Sequence, residues 1–352
     1  MPSLLSISSR TQKRSVILVG LAGILLLIVA ASLTMGAFPI SLPKVFQFLV
    51  GIQWGDASLT LQERNVLLQI RLPRIVMAML VGGSLAMAGA ALQGLFRNPL
   101  VEPGLIGVSS GSALFAVVYI VFGSSVAWLA WMGKVGLALF AFVGGLMNTA
   151  LVYKLSSKAG KTDISLLILA GVALNALAGA LIGLAIFYAD DAALRNFTFW
   201  SLGDVGGANW EKVLIMSLVS VIPVGLILGQ FQALNALAIG ESEAFHMGIN
   251  VQQTKLIVLI GSALIVGTAV AFTGTIGFVG LVVPHLLRIL IGADHRLVLP
   301  AAWLAGAILL TVADTLARTM VAPSEMPIGI ITAIIGAPFF IWLLSSIKQI
   351  RY

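Results

Sequence analysis

The chain has no cysteine in 352 residues, which excludes a disulfide framework, thiolate catalysis and any cysteine-held zinc or iron–sulfur centre. Charge is almost as scarce. Twenty basic and 13 acidic side chains make up 9% of the chain against 59% hydrophobic ones, and the mean hydropathy is +1.08. That leaves too little polar surface to coat a water-soluble globule of this length, so a soluble cytoplasmic enzyme is excluded and the solvent is a lipid bilayer. The net charge of +7 does not point to nucleic acid, because the basic residues are scattered between apolar runs and form no block.

Catalytic constellations are missing as well. Gly160-Lys161-Thr162 imitates the end of a phosphate loop, but Leu155 stands where that motif needs its first glycine, and the stretch reads as a solvated basic loop. His246, His285 and His295 are too far apart to form a zinc-protease pair and read as structural or interfacial. Asp314 and Arg318 stand at i and i+4, a spacing that lets them neutralise each other inside an apolar segment; a proton relay is the alternative.

What the sequence has in abundance is uncharged length. Nine windows carry no Asp, Glu, Lys or Arg over spans near the roughly 20 residues that cross hydrocarbon: 15–43, 75–96, 103–133, 135–153, 164–189, 213–240, 256–287, 297–313 and 326–347. The window 256–287 is too long for one helix, and its Gly/Pro-rich part 274–284 divides it into spans near 255–273 and 278–292. The fold class expected is therefore an all-α polytopic membrane protein of about ten helices, a single domain over 1–352. Its even count returns both termini to the cytoplasm, and twelve inner basic residues against eight outer ones agree with that orientation. The first window is too long for a signal-peptide core and is read as an anchor. At an offset of 185, residues 81–99 match 266–284 at five positions, among them Gly89/Gly274 and Pro99/Pro284. The two spans run in opposite directions, so an inverted repeat is the expectation.

Three features carry function. The polar interruption 234–251 reads as two short helices hinged at Gly240. Ala238 precedes the hinge, Glu241, Glu243 and Ala244 form the start of the second helix, where its dipole favours anions, and Gly248 stops it. A plain linker is the alternative to a dock for a cytoplasmic motor. Arg71, Arg74 and Arg318 face the outer side, where the insertion bias tolerates them least, and a guanidinium fork invites carboxylates from a partner; snorkelling is the alternative. Small and polar residues along the fifth span, including Gly171 and Asn175, leave room beside a pathway, or else pack helices closely within one subunit.

With Arg-Leu-Pro-Arg (71–74), Gln-Gly-Leu-Phe-Arg-Asn-Pro-Leu-Val-Glu-Pro-Gly-Leu-Ile-Gly-Val-Ser-Ser-Gly (93–111), Gly-Phe-Val-Gly-Leu-Val-Val-Pro-His (277–285), Asp-His-Arg (294–296) and Pro-Ile-Gly-Ile-Ile-Thr-Ala-Ile-Ile-Gly-Ala-Pro-Phe-Phe (327–340), the chain resembles the ABC-transporter permeases that import iron chelates, haem and cobalamin in bacteria. The resemblance implies a multi-pass protein of the bacterial inner membrane, embedded in lipid and paired with a second permease copy. It also implies two cytoplasmic ATP-binding cassette subunits that hold ATP and magnesium, a periplasmic substrate-binding protein, and no cofactor bound permanently by the permease. On this resemblance 234–251 is the coupling element, Arg71, Arg74 and Arg318 are binding-protein sockets, Asn98, Pro99 and Leu100 form an inner gate, and Ser165 marks a second gate at the head of the fifth span. Asp204 departs from the pattern, which has a small residue there, and adds a charge near the external vestibule. The stretches 92–107 and 197–203 resemble the haem branch most, though siderophore and cobalamin permeases share much of them. A proton-coupled secondary transporter would need titratable groups on several helices mid-membrane, and an intramembrane hydrolase would need a partner for His285.

Overall fold

The computed structural model describes residues 4–36, 38–50, 59–123, 127–158 and 160–349. Helix α1 (Leu4–Thr34) is followed by a short α2 (Leu42–Val50). The chain re-enters the bundle through α3 (Leu61–Asn65), a π-turn Val66–Arg71 and the long α4 (Leu72–Phe96). Thr60 starts this run with a capping box: its side chain accepts from the Glu63 amide while Glu63 accepts from the Thr60 amide. After a 3₁₀ turn at Pro103–Ile106 come α5 (Val108–Phe122) and α6 (Ala127–Ser156), the latter bent at Gly133. A two-strand hairpin, β1 (Ser157–Lys158) and β2 (Lys161–Thr162), joins α6 to α7 (Ile164–Phe187). The remainder is helical: α8 (Asp191–Ser201), α9 (Trp210–Gly229), α10 (Phe231–Ile239), α11 (Glu241–His246), α12 (Val251–Thr273), α13 (Val279–Ile291), α14 (His295–Ala317) and α15 (Ile328–Gln349).

Among the described residues seven helices are long and apolar enough to cross a membrane, and Val108–Phe122, Val279–Ile291 and Ile328–Trp342 are shorter apolar helices. These account for the ten expected spans. Two windows are divided differently from the expectation. Residues 103–133 hold a turn, the short α5 and the start of α6, and 213–240 holds α9 and the separate α10. Helices α2, α3 and α8 were not foreseen, because each is short and carries charge at its start or beside it.

Helix α4 lies at the centre, buried almost continuously from Pro73 to Phe96 between α14, α12, α13 and α9. In lipid no hydrophobic force draws helices together, so close contact depends on shape and small side chains. Here a Cβ at Gly82 would overlap the carbonyl oxygen of Gly306, and one at Gly306 would overlap that of Gly82. The α4–α14 crossing is thus a backbone-to-backbone contact that only glycine permits on both sides.

The inverted repeat is present in the packing. Helix α5 packs on α6 and α7 as α13 packs on α14 and α15, and α4 meets α14 and α13 as α12 meets α6 and α5. The 185-residue register is not the structural one, however. Helix α4 begins at Leu72 and α12 at Val251, whereas α7 begins at Ile164 and α15 at Ile328, so no single offset serves both halves.

Replacing Gly82 or Gly306 by valine is expected to lose at least about 1–3 kcal/mol of stability, the range for overpacking a filled contact. Gly179→Val, at a position with nothing within 4 Å of a Cβ, should stay within about 0.5 kcal/mol of the parent. Thermal unfolding of the detergent-solubilised protein measures both.

Candidate functional site

The end of the bundle that carries the basic excess is the cytoplasmic one, and α10 and α11 lie across it. They meet at Gly240 as expected, and Gly248, at φ +82°, closes the second helix. Leu234, Ala236, Leu237 and Ala244 face inward and are buried. Ala238 and Glu243 are exposed, and so are three apolar side chains, Ile239, Phe245 and Met247. Exposed apolar groups clustered beside charge, on two short helices outside the spans, make a surface suited to a protein partner.

Each short helix has its own polar tie to the spans. Asn235 of α10 donates to Asp294 at 2.8 Å, while its Oδ1 accepts from the His295 amide at 2.9 Å. Asp294 caps α14, accepting from the Arg296 amide, and pairs with Arg14 of α1. Arg296 stands over the Phe231 ring at 5.7 Å. Burial alone would raise the Asp294 carboxyl, but the hydrogen bonds from Asn235 and the Arg296 amide and the charge of Arg14 hold it below the ordinary carboxylate value. Its contribution is therefore complete at neutral pH and disappears only as pH falls through that lowered value. Glu241 of α11 instead pairs with Lys255 at 2.8 Å.

Beside this surface the inner turn is exposed at Asn98, Pro99 and Leu100. Arg97 takes the left-handed conformation that ends α4, and Asn98 Oδ1 accepts from the Leu100 amide at 2.9 Å. The chain then climbs back into the bundle. Gln93, buried in α4, donates to the carbonyl of Val101 at 3.2 Å and also reaches that of Gly280, while its own oxygen accepts from Arg288. Asn175 donates to the Gly104 carbonyl at 3.1 Å and accepts from Ser110, and Asn148 donates to the Gly107 carbonyl at 2.8 Å.

These contacts revise the expected pathway set. Gly171 is buried, and a Cβ there would overlap the Leu105 carbonyl; Asn175 is half-buried and committed to the same turn. Both residues pack α7 on the re-entrant stretch of their own chain. The open face of α7 carries Val172, Ala173, Ala176, Gly179 and Ala180, and at its foot Ser165 is exposed, next to the capping Asp163.

The outer arginines require a larger correction. Arg71, Arg74 and Arg318 are 3%, 5% and 6% exposed, so none presents a free fork to a partner. Arg74 Nε donates to Asp314 at 2.8 Å and its Nη1 to both oxygens of Glu325. Arg318 stands 3.7 Å from Asp314 and donates to the Ser32 carbonyl at 2.6 Å; Arg71 donates to the carbonyls of Leu33 and Phe38. They tie α1, α4, α14 and the loop before α15 into one rim. Asp314 faces two guanidinium groups, which is the mutual neutralisation its spacing with Arg318 allowed. Asp204 is exposed and accepts from the Gly206 amide at 2.7 Å. His285 lies edge-on to Phe339 and, among the described residues, its Nδ1 has no hydrogen-bond partner.

Sequence reasoning missed Gln93, Asn235, Lys255 and Asp294. A single amide within the apolar run 75–96 marks Gln93, and a lysine at the mouth of a span marks Lys255. Val101 and Glu241 stand 8 and 14 residues from them, and Gly280, Arg288 and Thr162 much farther, so none falls at the i, i+3 or i, i+4 spacing that marks a pair within one helix.

Residues 24–346 match the FecCD transport family. The hemin transport system permease protein HmuU of Yersinia pestis is 45% identical over 352 residues, covering 98% of this chain and 99% of its own. The vitamin B12 import system permease protein BtuC of Vibrio cholerae is 40% identical over 302 residues, covering 85% and 89%. Among solved structures, an inward-facing ABC transporter described as metal-chelate type superposes with a TM-score of 0.81 at 35% identity, covering 94% of this chain and 99% of its own.

Asp314→Ala would leave Arg74 and Arg318 buried without their shared carboxylate, and a loss of about 3–5 kcal/mol is expected. Glu325→Ala removes a half-exposed partner and should lose no more than about 1 kcal/mol. Unfolding midpoints of the two variants, compared with the parent, check the difference.

Proposed function

Because the chain belongs to the FecCD transport family and is a transmembrane permease of the ABC-importer kind, we propose that it carries haem from the periplasm to the cytoplasm across the bacterial inner membrane. Two copies of the chain flank the pathway, a pair of separate ATP-binding cassette subunits hydrolyses ATP with magnesium, and a periplasmic binding protein delivers the haem at the outer rim. The observation that carries the coupling is the hinged pair α10 and α11, with Ile239, Phe245 and Met247 bare at the cytoplasmic end. Ala238, Glu243 and Gly248 form the dock around them, and the hinge Gly240, the inward-facing Ala244 and Glu241, paired with Lys255, hold it in shape. The likeness to a hemin permease over nearly the whole chain supports the cargo. A cobalamin or iron-siderophore cargo is the second reading, supported by the similarity to BtuC and to the metal-chelate transporter.

On this reading Asn98, Pro99, Leu100 and Ser165 gate the inner end, and the open face of α7 borders the pathway along the dimer axis. The permease needs no strong axial ligand, because a conduit must release what it carries. Arg71, Arg74 and Arg318 act under the binding-protein site by holding the rim in shape, and the partner's contacts fall on outward residues of the surrounding loops.

Permease, ATPase and binding protein together in proteoliposomes should take up haem only with hydrolysable ATP, and in preference to cobalamin and ferric siderophores; preferred uptake of either of those would replace haem as the cargo. Glu243→Trp or Gly248→Trp should reduce uptake while the helices stay inserted, because both positions lie outside the spans, and full transport by both would remove α11 from the dock. In a chain without cysteine, single cysteines at Ala173, Ala176 or Gly179 should react with a water-soluble thiol reagent faster than one at lipid-facing Leu218. Equal rates would assign that face to lipid or to closed packing.

A further inference from the structure

Lys255 is 2% exposed, although it stands in the first turns of α12 at the cytoplasmic end. A buried ammonium must keep its partners, since an uncompensated charge in such a place is worth several kcal/mol. Among the described residues two groups satisfy it. One is the carboxylate of Glu241 on α11, at 2.8 Å, and the other is the backbone carbonyl of Thr162, at 2.7 Å. Thr162 is also held through its amide, which donates to Gln252 of α12 at 2.9 Å. The next residue, Asp163, caps α7 by accepting from the amides of Ser165 and Leu166. An unbroken series of hydrogen bonds and one peptide link therefore joins α11 to the foot of α7.

The other short helix is tied elsewhere. Asn235 fastens α10 to Asp294 and His295 at the foot of α14, and Phe231 lies under Arg296 of the same helix. Gly240 separates the two ties. A push that bends the chain at Gly240 would thus reach α7 through one tie and α14 through the other, as relative movement of their feet.

We infer that Lys255 is the positioning residue that makes α11, the β1–β2 hairpin and the foot of α7 move as one body, so that displacement of α11 by a cytoplasmic partner becomes displacement of α7. The reason is energetic. If α11 moved alone, Glu241 would leave and the Lys255 ammonium would remain buried with one carbonyl, so the three groups travel together. Lysine suits the task because its three donors sit on a flexible stem and can hold a carboxylate and a carbonyl through a change of angle. The transport role of this link rests on the function proposed above; the mechanical link itself does not.

The test separates the two. Spin labels on Phe245→Cys of α11 and Ser165→Cys of α7 report their separation in the full-length permease, with no partner added. A control pair on Ala238→Cys of α10 and Ala293→Cys before α14 reports the other tie. Lys255→Met is expected to broaden the α11–α7 distance distribution and leave the α10–α14 one unchanged, and Lys255→Arg is expected to restore it. An unchanged α11–α7 distribution, or equal broadening of both pairs, overturns the proposal, the latter because it reports general loosening. In the reconstituted transporter Lys255→Met should still assemble with the ATPase and hydrolyse ATP, while substrate moved per ATP falls at least about fivefold, the low end of coupling between two sites. An unchanged ratio likewise overturns the inference. Failure of the unsubstituted permease to bind any ATPase would instead count against the proposed function and leave the distance result standing.

Discussion

Backbone that leaves the helical path inside a membrane has to find its hydrogen bonds within the protein, because lipid offers none. Much of this structure follows from meeting that requirement twice. The stretch after α4 re-enters the bundle far enough that the Leu105 carbonyl abuts Gly171, about 10 Å along α7 from its start. Its carbonyls are taken up by Gln93, Asn148 and Asn175. At the opposite end the stretch between α12 and α13 is held by the outer loops: the Asp204 amide donates to the Thr273 carbonyl at 2.7 Å, and Thr275 donates to the Ser201 carbonyl. The short α5 and α13 exist because each gives part of its membrane depth to one of these breaks.

The same requirement explains where the polar residues went. An apolar chain with 33 charges, counted from 20 basic and 13 acidic residues, uses them at the two ends of the bundle, where they fasten helices to one another. At the outer end Asp314 joins α14 to α4 through Arg74, while Arg318 and Arg71 reach the end of α1. At the inner end Arg14, Asp294 and Asn235 fasten α1 and α14 to α10. With its ends fixed by charge and its middle by glycine contact, the bundle leaves α7 open along one face, with Val172, Ala173, Ala176, Gly179 and Ala180 exposed. In the function proposed above, that open face of α7 is the one that borders the pathway.

The bland readings prevailed in several places. The expected sockets are internal ties, because Arg71, Arg74 and Arg318 all find acceptors within the chain. Gly171 and Asn175 pack a turn and do not line an open face. For the arginines the acceptors expected on a partner are supplied by the chain itself, and for Gly171 and Asn175 the close packing within one subunit is what the structure shows. Burial settles that question, and burial is not a property of a residue's neighbours in sequence.

Length of uncharged runs, the parity of their number and the placement of basic residues come from the sequence alone, since each depends only on how a segment partitions between water and hydrocarbon. The hinge at Gly240 was legible for the same local reason: a helix breaker, an acidic first turn and a stopping glycine act within one turn of chain. The lack of a single offset in the repeat, the glycine contact between α4 and α14, and the pairing of Lys255 with both Glu241 and Thr162 required the tertiary structure. These are contacts between segments far apart along the chain, and whether a side chain meets a ligand, a neighbour or lipid is decided by which helix the fold places against it.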